Sequence, residues 1–341
     1  MANRAAILYG VHDIRLEEIP TPTPKPDEVL VRVTSVGVCG SDVHYFEHGR
    51  IGPYVVEHPL ILGHETAGVI VARGERALKH TIGERVALEP GIPCGRCREC
   101  RSGRYNLCPD VRFFATPPID GTFTDFIAVN EDFAFALPDS VSDDDGALIE
   151  PLAVGVNACR RAGIKPGDRV LVTGAGTIGI LAAQAAVVSG ATEVVLTDIN
   201  DKRLGVAAVH PAIRPINVRG TTLSTVARDV DALIECSGAP GVLAEGLTTL
   251  RPHGTAVAVG MSALNQVTLD LTTIQAGELW LTGNFRYANT YPTAISLVAG
   301  GRVRLDMLVS RHYSLEESAQ ALAATGNDPE NIKSIVSVST S

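Results

Sequence analysis

Four cysteines lie within fifteen residues, as Cys94-x2-Cys97-x2-Cys100-x7-Cys108. Thiolates at this spacing can reach one centre and match a tetrahedral structural zinc site. Pro93, Gly95 and Gly103 let the loop fold round an ion, and Arg96, Arg98, Arg101 and Arg104 partly offset the thiolate charge. Free or redox-active thiols compete with this reading, as does an iron–sulfur cluster, whose ligands are usually flanked differently. A second constellation is diffuse: Cys39, His64, Glu65 and Glu150. A catalytic zinc needs three protein ligands and an open position, and Cys, His and a carboxylate would supply that. Each residue alone has a plainer reading. A lone cysteine is usually core and a His-Glu pair is usually surface, so the residues by themselves leave the grouping open.

A third set is Gly174-Ala175-Gly176-Thr177-Ile178-Gly179, a G-x-G-x-x-G between the apolar run Val170–Val172 and a charge-free segment reaching Ser189. Alone the pattern is weak. Here strand, glycine turn, helix and second strand (Val194–Thr197) follow in order, and Asp198 closes the unit about twenty residues on. Gly174 can take the tight turn, Gly176 lets a pyrophosphate approach the backbone, and Gly179 lets the helix pack on the strand. The helix N-terminus offers N–H groups and a positive dipole end to phosphate. Asp198 can accept hydrogen bonds from an adenosine ribose and would repel a 2′-phosphate, which favours NAD over NADP. A membrane helix is the competing reading of the charge-free run, and the glycines argue against it.

These residues need a frame. Val29–Val33, Glu65–Val71 and Glu84–Leu88 read as strands, so the first 150 residues are expected to be mostly β and barrel-like. Cys39-Gly40-Ser41-Asp42 is placed in a turn after a strand. Pro151–Ala162 reads as a helix joining two lobes. Asp231–Glu235, Thr255–Gly260 and Leu279–Leu281 read as further strands, and Pro211 and Pro215 interrupt the segment after Asp198. Pro292–Val298 reads as a helix. Ser314-x-x-Glu317 is a capping box before Ala319, Ala321 and Leu322.

The 341 residues suggest two domains. Hydrophobic residues make up 45% and charged residues 20%, an ordinary soluble composition. The net charge of -9 argues against a nucleic-acid surface. No apolar run near the N-terminus is long enough for a signal peptide, so cytoplasm is the default and no membrane is expected. Clustered cysteines in such a protein read as metal ligands rather than disulfides.

Cys39-Gly40-Ser41-Asp42, Gly63-His64-Glu65, the four-cysteine lobe and GAGTIG together resemble the zinc-dependent medium-chain dehydrogenases. The polyol branch, sorbitol and xylitol dehydrogenases, is the nearer resemblance. It is carried by His44-Tyr45, Gly49-Arg50-Ile51-Gly52, Phe113-Phe114-Ala115-Thr116-Pro117-Pro118, Ala147-Leu148-Ile149-Glu150-Pro151-Leu152 and Phe285-Arg286-Tyr287. The resemblance covers essentially the whole chain. It implies an α/β protein with a Rossmann-type doubly wound parallel sheet domain at 151–284. A mostly β, GroES-like catalytic zinc-binding domain would take 1–150 plus 285–341. It implies a catalytic zinc on Cys39, His64 and Glu65, with a water held by Glu150. The two carboxylates trade places in some relatives. Asp42 matches a position that orients the ligating histidine. Some polyol enzymes have lost the four-cysteine lobe. This chain keeps it, so two zinc ions per subunit are expected.

What the resemblance implies for function is NAD-dependent oxidation of a polyol to the ketose, by hydride transfer from an alcohol activated on zinc. Ser41 or the water near Glu150 would carry the departing proton. Tyr45, Arg286 and Tyr287 are implied as hydroxyl partners, with Arg50, Ile51, Phe113 and Phe114 around the pocket. Thr177, Ile178, Arg203, Val259, Gly260, Phe285 and Arg286 join the three glycines and Asp198 as cofactor contacts. Tetramers are usual among relatives. A simple alcohol or threonine-type dehydrogenase is an alternative within the fold. A non-catalytic NAD-sensing or zinc-binding regulator is an alternative of another class.

Overall fold

The computed structural model describes residues 2–208, 210–261 and 266–339. The chain forms two compact units. One comprises Met1–Glu150, Tyr291–Ala299 and Leu305–Ser341, and the other Pro151–Thr290 and Gly300–Arg304. Residues 285–290 stay with the second unit, and the chain re-enters the first at Tyr291.

The first unit is mostly β. Its largest sheet is centred on Glu28–Gly37, whose residues alternate among Val, Thr and Ser with almost every side chain buried. Along one edge this strand pairs with Glu65–Arg73 throughout its length. The other edge is shared: Phe126–Asn130 takes the first half and Lys333–Ser337 the second. Residues 35–37 thus lie between the start of Glu65–Arg73 and a strand from near the end of the chain. Lys333–Ser337 also runs parallel to Val309–Ser314, and helix Ser318–Asn327 connects the two. The Ser314/Glu317 capping box forms, and it starts a short 3-10 turn that leads into that helix.

The second unit is a six-stranded parallel sheet. Its order is Ile213–Asn217, Glu193–Asp198, Arg169–Thr173, Val230–Glu235, Leu250–Ala258 and Trp280–Gly283. Numbered along this unit, that is 3-2-1-4-5-6, the order of a doubly wound dinucleotide fold. Pro215 does not break its strand, because that strand is the sheet's edge and a missing donor there costs nothing. Leu171, Val172, Leu196, Leu233 and Ile234 are fully buried or nearly so. Burying each such side chain stabilises the fold by about 1.5–3 kcal/mol.

The charge-free segment is helix Thr177–Val188. Every residue from Gly179 to Ala186 is buried, which is why no charge is tolerated on it. No helix among the described residues is long and apolar enough to cross a membrane. The linking helix is longer than its sequence suggests. It runs Asp143–Ala162, with acidic residues at its first turn and Pro151 inside. Glu150 therefore sits on a helix rather than before one.

Gly179 is fixed by contact. A Cβ there would lie 1.7 Å from the Gly174 carbonyl oxygen, so any side chain would push the helix off its strand. Gly179→Ala is expected to lower stability by about 1–3 kcal/mol, the usual range for overpacking. Denaturant unfolding checks this, and a change below about 0.5 kcal/mol would contradict the packing argument.

Candidate metal and cofactor sites

Cys39 is the N-cap of helix Gly40–His48, not part of an isolated turn. The cap is a capping box with cysteine in the place of Ser or Thr and Asp42 in the place of Glu or Gln. That substitution hides the helix start from a pattern search. Asp42 is 0% exposed. Its Oδ2 accepts from the Cys39 backbone N–H at 3.0 Å, and its Oδ1 accepts from the Gly63 N–H at 3.0 Å. One carboxylate thus joins the segment before the helix to the segment before His64. Burial pushes the Asp42 carboxyl up, but the His64 charge and these two N–H donors outweigh it and hold Asp42 below its ordinary range.

His64 is buried, with Nδ1 3.5 Å from Asp42 Oδ1. At that distance the contact is electrostatic rather than a hydrogen bond, and Nδ1 has no hydrogen-bond partner. Aimed this way, the ring leaves Nε2 to ligate. The Phe113 ring packs at 5.7 Å. Burial disfavours the imidazolium, yet Asp42 and then Cys39 outweigh it and raise the His64 pKa well above normal.

Ligand atoms of Cys39, His64 and Glu65 lie within 4.8 Å of one another. Glu65 is 1% exposed, and both its oxygens lie 2.8 Å from Lys333 Nζ. Lys333, 3% exposed, also donates to the Val38 carbonyl at 2.8 Å. Burial works against the Lys333 ammonium, but Glu65 and then Cys39 outweigh it, and its pKa is raised. Gly37 makes room for Glu65: a Cβ there would sit 2.0 Å from Glu65 Oε2. A half-buried soft thiolate with a buried imidazole and carboxylate, and an orphaned Nδ1 beside Asp42, form a donor set that fits zinc.

Glu150 is buried but lies outside this compact donor group. Ser41 is half-buried on the first turn of the Cys39-capped helix. Tyr45 packs into the core with Val43, Phe46 and Leu60. Phe114 turns into a different core cluster, with Val29, Ile70 and Leu88. Arg50 is exposed and donates to the Gly52 carbonyl at 2.8 Å, while Ile51 packs partly against the core.

The four-cysteine lobe also closes on one centre. Cys97 and Cys100 sulfurs are 3.3 Å apart and Cys94 and Cys100 sulfurs 4.0 Å. These bracket the roughly 3.8 Å that tetrahedral zinc–thiolate bonds of about 2.3 Å impose, and all four cysteines are free of disulfides. Arg98 and Arg104 pair with Glu99 at 3.8 and 3.2 Å, so their charge is directed there.

In the second unit, Gly174 (φ +88°), the Ser237–Gly238 turn and Gly260 converge beyond the carboxyl ends of the strands. A Cβ on Gly174 would lie 2.8 Å from Ser237 Cα, and one on Gly260 2.3 Å from the Gly238 nitrogen. Beside Gly176 there is open space. Gly176 caps helix Thr177–Val188 without a side-chain hydrogen bond, so the donors of the first turn face that space. Thr177 and Ile178 open the helix, half-buried. Asp198 accepts from Ala175 N–H at 2.6 Å and from Ile199 and Asn200 N–H, which fixes its carboxylate at the glycine turn. This cradle fits a dinucleotide pyrophosphate. Arg203 sits on the next helix, Asp201–Ala207. Val259 N–H, like Gly260 N–H, bonds the Glu235 carbonyl. Phe285 is half-exposed under the Arg286 guanidinium, 4.8 Å above its ring, and Tyr287 is buried.

Two residues escaped the sequence reading. Lys333 is one, and a lone charge in Ile332-Lys333-Ser334-Ile335-Val336 was its signal. Glu89 is the other. Burial pushes its carboxyl up to about 7, against the Tyr105 hydroxyl that donates to it at 2.7 Å. Tyr105 belongs to the four-cysteine lobe.

Comparison with known proteins shows the family of the chain. Residues 25–139 match the alcohol dehydrogenase GroES-like domain, and residues 177–300 match the zinc-binding dehydrogenase domain. The chain is 43% identical to a sorbitol dehydrogenase of Bacillus subtilis (strain 168), over 94% of this chain and 92% of the relative. It is 41% identical to a sorbitol dehydrogenase of Gallus gallus, over 95% and 93%. A solved Escherichia coli oxidoreductase/dehydrogenase of unknown specificity superposes with a TM-score of 0.95 over all of both chains, at 35% identity.

Metal analysis is expected to find two zinc ions per chain. Cys97→Ser should remove one, and Cys39→Ala the other. A single zinc in fresh parent protein, or two in either variant, would contradict the two-centre arrangement.

Proposed function

The chain belongs to the zinc-dependent medium-chain dehydrogenases, oxidoreductases acting on CH–OH groups, and we propose that it oxidises a polyol such as sorbitol or xylitol to the ketose with NAD. The observation that carries this is the compact Cys39, His64 and Glu65 group, in a chain whose curated relatives include sorbitol dehydrogenases. When bound, zinc supplies a Lewis acid that makes an alcohol hydroxyl easier to deprotonate, and NAD supplies the hydride acceptor.

The protein's own residues do the rest. Cys39, His64 and Glu65 hold the metal, and Asp42 holds His64 by its Nδ1 side. Ser41, two residues from Cys39, and buried Glu150 are the groups placed to take up the proton the alcohol loses. Phe113 walls the His64 side with an apolar ring. Arg50 and Ile51 stand on the neighbouring hairpin. Arg286 and Tyr287 are candidate partners for further substrate hydroxyls. Gly174, Gly176 and the start of the following helix receive the pyrophosphate, and Asp198 reads the ribose.

We also place the protein in the cytoplasm and assign it as a homotetramer. Seven unpaired cysteines suit a reducing compartment. Exposed Trp280 and Leu281 on the edge strand Trp280–Gly283 suit a subunit contact.

NADH absorbance with a panel of polyols, vicinal diols and ethanol tests the reading. Turnover is expected on polyols, not ethanol, and should vanish with a strong chelator. Activity confined to a vicinal diol or a simple alcohol would move the chain to another alcohol class. NAD binding with no turnover on any alcohol would make it a regulator. Asp198→Ala is expected to lower the NAD over NADP preference by about tenfold or more, consistent with losing one charge-assisted hydrogen bond and one repulsion. An unchanged preference would mean the ribose is read elsewhere.

A further inference from the structure

We propose that Lys333 is a positioning residue that limits Glu65 to one oxygen on the metal and so keeps a coordination position open for substrate. This rests on the reading of Cys39, His64 and Glu65 as a zinc site. The Lys333 ammonium has three N–H donors, and three acceptors surround it: both Glu65 oxygens and the Val38 carbonyl, each at 2.8 Å. The Val38 contact matters because Cys39 is the next residue. Lys333 therefore grips two of the three donors of the group, one through its side chain and one through the adjoining backbone.

Glu65 cannot swing away from this grip. On one side Gly37 leaves only the volume its missing Cβ would fill. On the other lies the space bounded by Cys39 and His64. With both oxygens already on Lys333, a carboxylate so confined can share only the oxygen nearer Cys39 and His64 with a metal. With Lys333 absent, nothing on its side competes for the second oxygen, and both can turn to the metal. A bidentate Glu65 with Cys39 and His64 fills four positions by itself.

Charge points the same way. Lys333 is the cation paired with buried Glu65, and without it closer contact with the metal is what relieves the unmatched carboxylate.

Cobalt substitution reads the shell directly. In the parent, the visible d–d band that disappears in Cys39→Ala reports this centre apart from the four-cysteine lobe. Lys333→Met is expected to keep its metal and to change the position and intensity of that band, as the second Glu65 oxygen takes the place of whatever occupies the open position. Turnover of the zinc form should fall about 10–100-fold, as for other partners of ligating carboxylates, mostly through KM. Lys333→Arg should restore the parent spectrum. If Lys333→Met does not fold, Lys333→Gln carries the same expectation. An unchanged band in a metal-loaded neutral variant overturns the proposal. So does loss of the metal from both neutral variants, which would make Lys333 a simple retention element. A parent without any Cys39-dependent band would instead overturn the zinc reading beneath it.

Discussion

A single buried carboxylate organises the first unit's chemistry. Asp42 spans from the Cys39 N–H to the Gly63 N–H with its two oxygens and turns one of them toward His64. Two segments more than twenty residues apart are thereby set at fixed spacing. The cost is burying an anion, and it is met by two backbone donors and a nearby imidazole rather than by a lysine or arginine. Neutral hydrophobic packing could hold the two segments near each other, but it would not place a negative charge beside the Nδ1 side of the buried ring.

Much of this was legible. The glycine motif reads through because backbone constraints speak in residue types: only glycine fits at 179, where a Cβ would lie 1.7 Å from a carbonyl oxygen. The four-cysteine lobe reads through because its donors are local. The Cys39, His64 and Glu65 group was an open reading from the residues themselves, since its members are brought together by sheet pairing. Gly37 pairs with Glu65 across two strands. Lys333 was not legible at all. Its role depends on a strand pairing across some three hundred residues, and a period-two pattern says which face a residue takes but not which strand it will meet. Tyr45 and Phe114 show the converse. Neighbours in sequence to chemistry-bearing residues, they pack into the core, Tyr45 from a helix and Phe114 from the turn after a short strand.

The two units solve binding in different ways. In the second, the candidate cofactor site is mostly backbone, with open space at a glycine and donors at a helix end, plus one carboxylate tied down by three N–H groups. Such a site is rigid because the sheet is. In the first, the groups are side chains, and rigidity comes from ion pairs buried beneath them. Glu65 with Lys333 and Asp42 with His64 are both sealed from solvent, where salt screens little. The Tyr105–Glu89 hydrogen bond adds a tie from the four-cysteine lobe to the strand end beside it.

The distance along the chain between Glu65 and its cation also has a temporal side. Lys333 lies 268 residues beyond Glu65. At about 5–20 residues per second of synthesis, roughly 15–50 seconds separate their appearance at the ribosome. Through that interval strands Glu28–Gly37 and Glu65–Arg73 can pair, but the Glu65 carboxylate lacks Lys333 and residues 35–37 lack the neighbour they have in the finished sheet. The nascent sheet is held ajar at its most polar point until the last strand arrives. Enclosure of the Cys39, His64 and Glu65 group therefore waits for the strand that brings Lys333, and a ribosome-bound fragment that stops short of it carries these side chains without their buried cation.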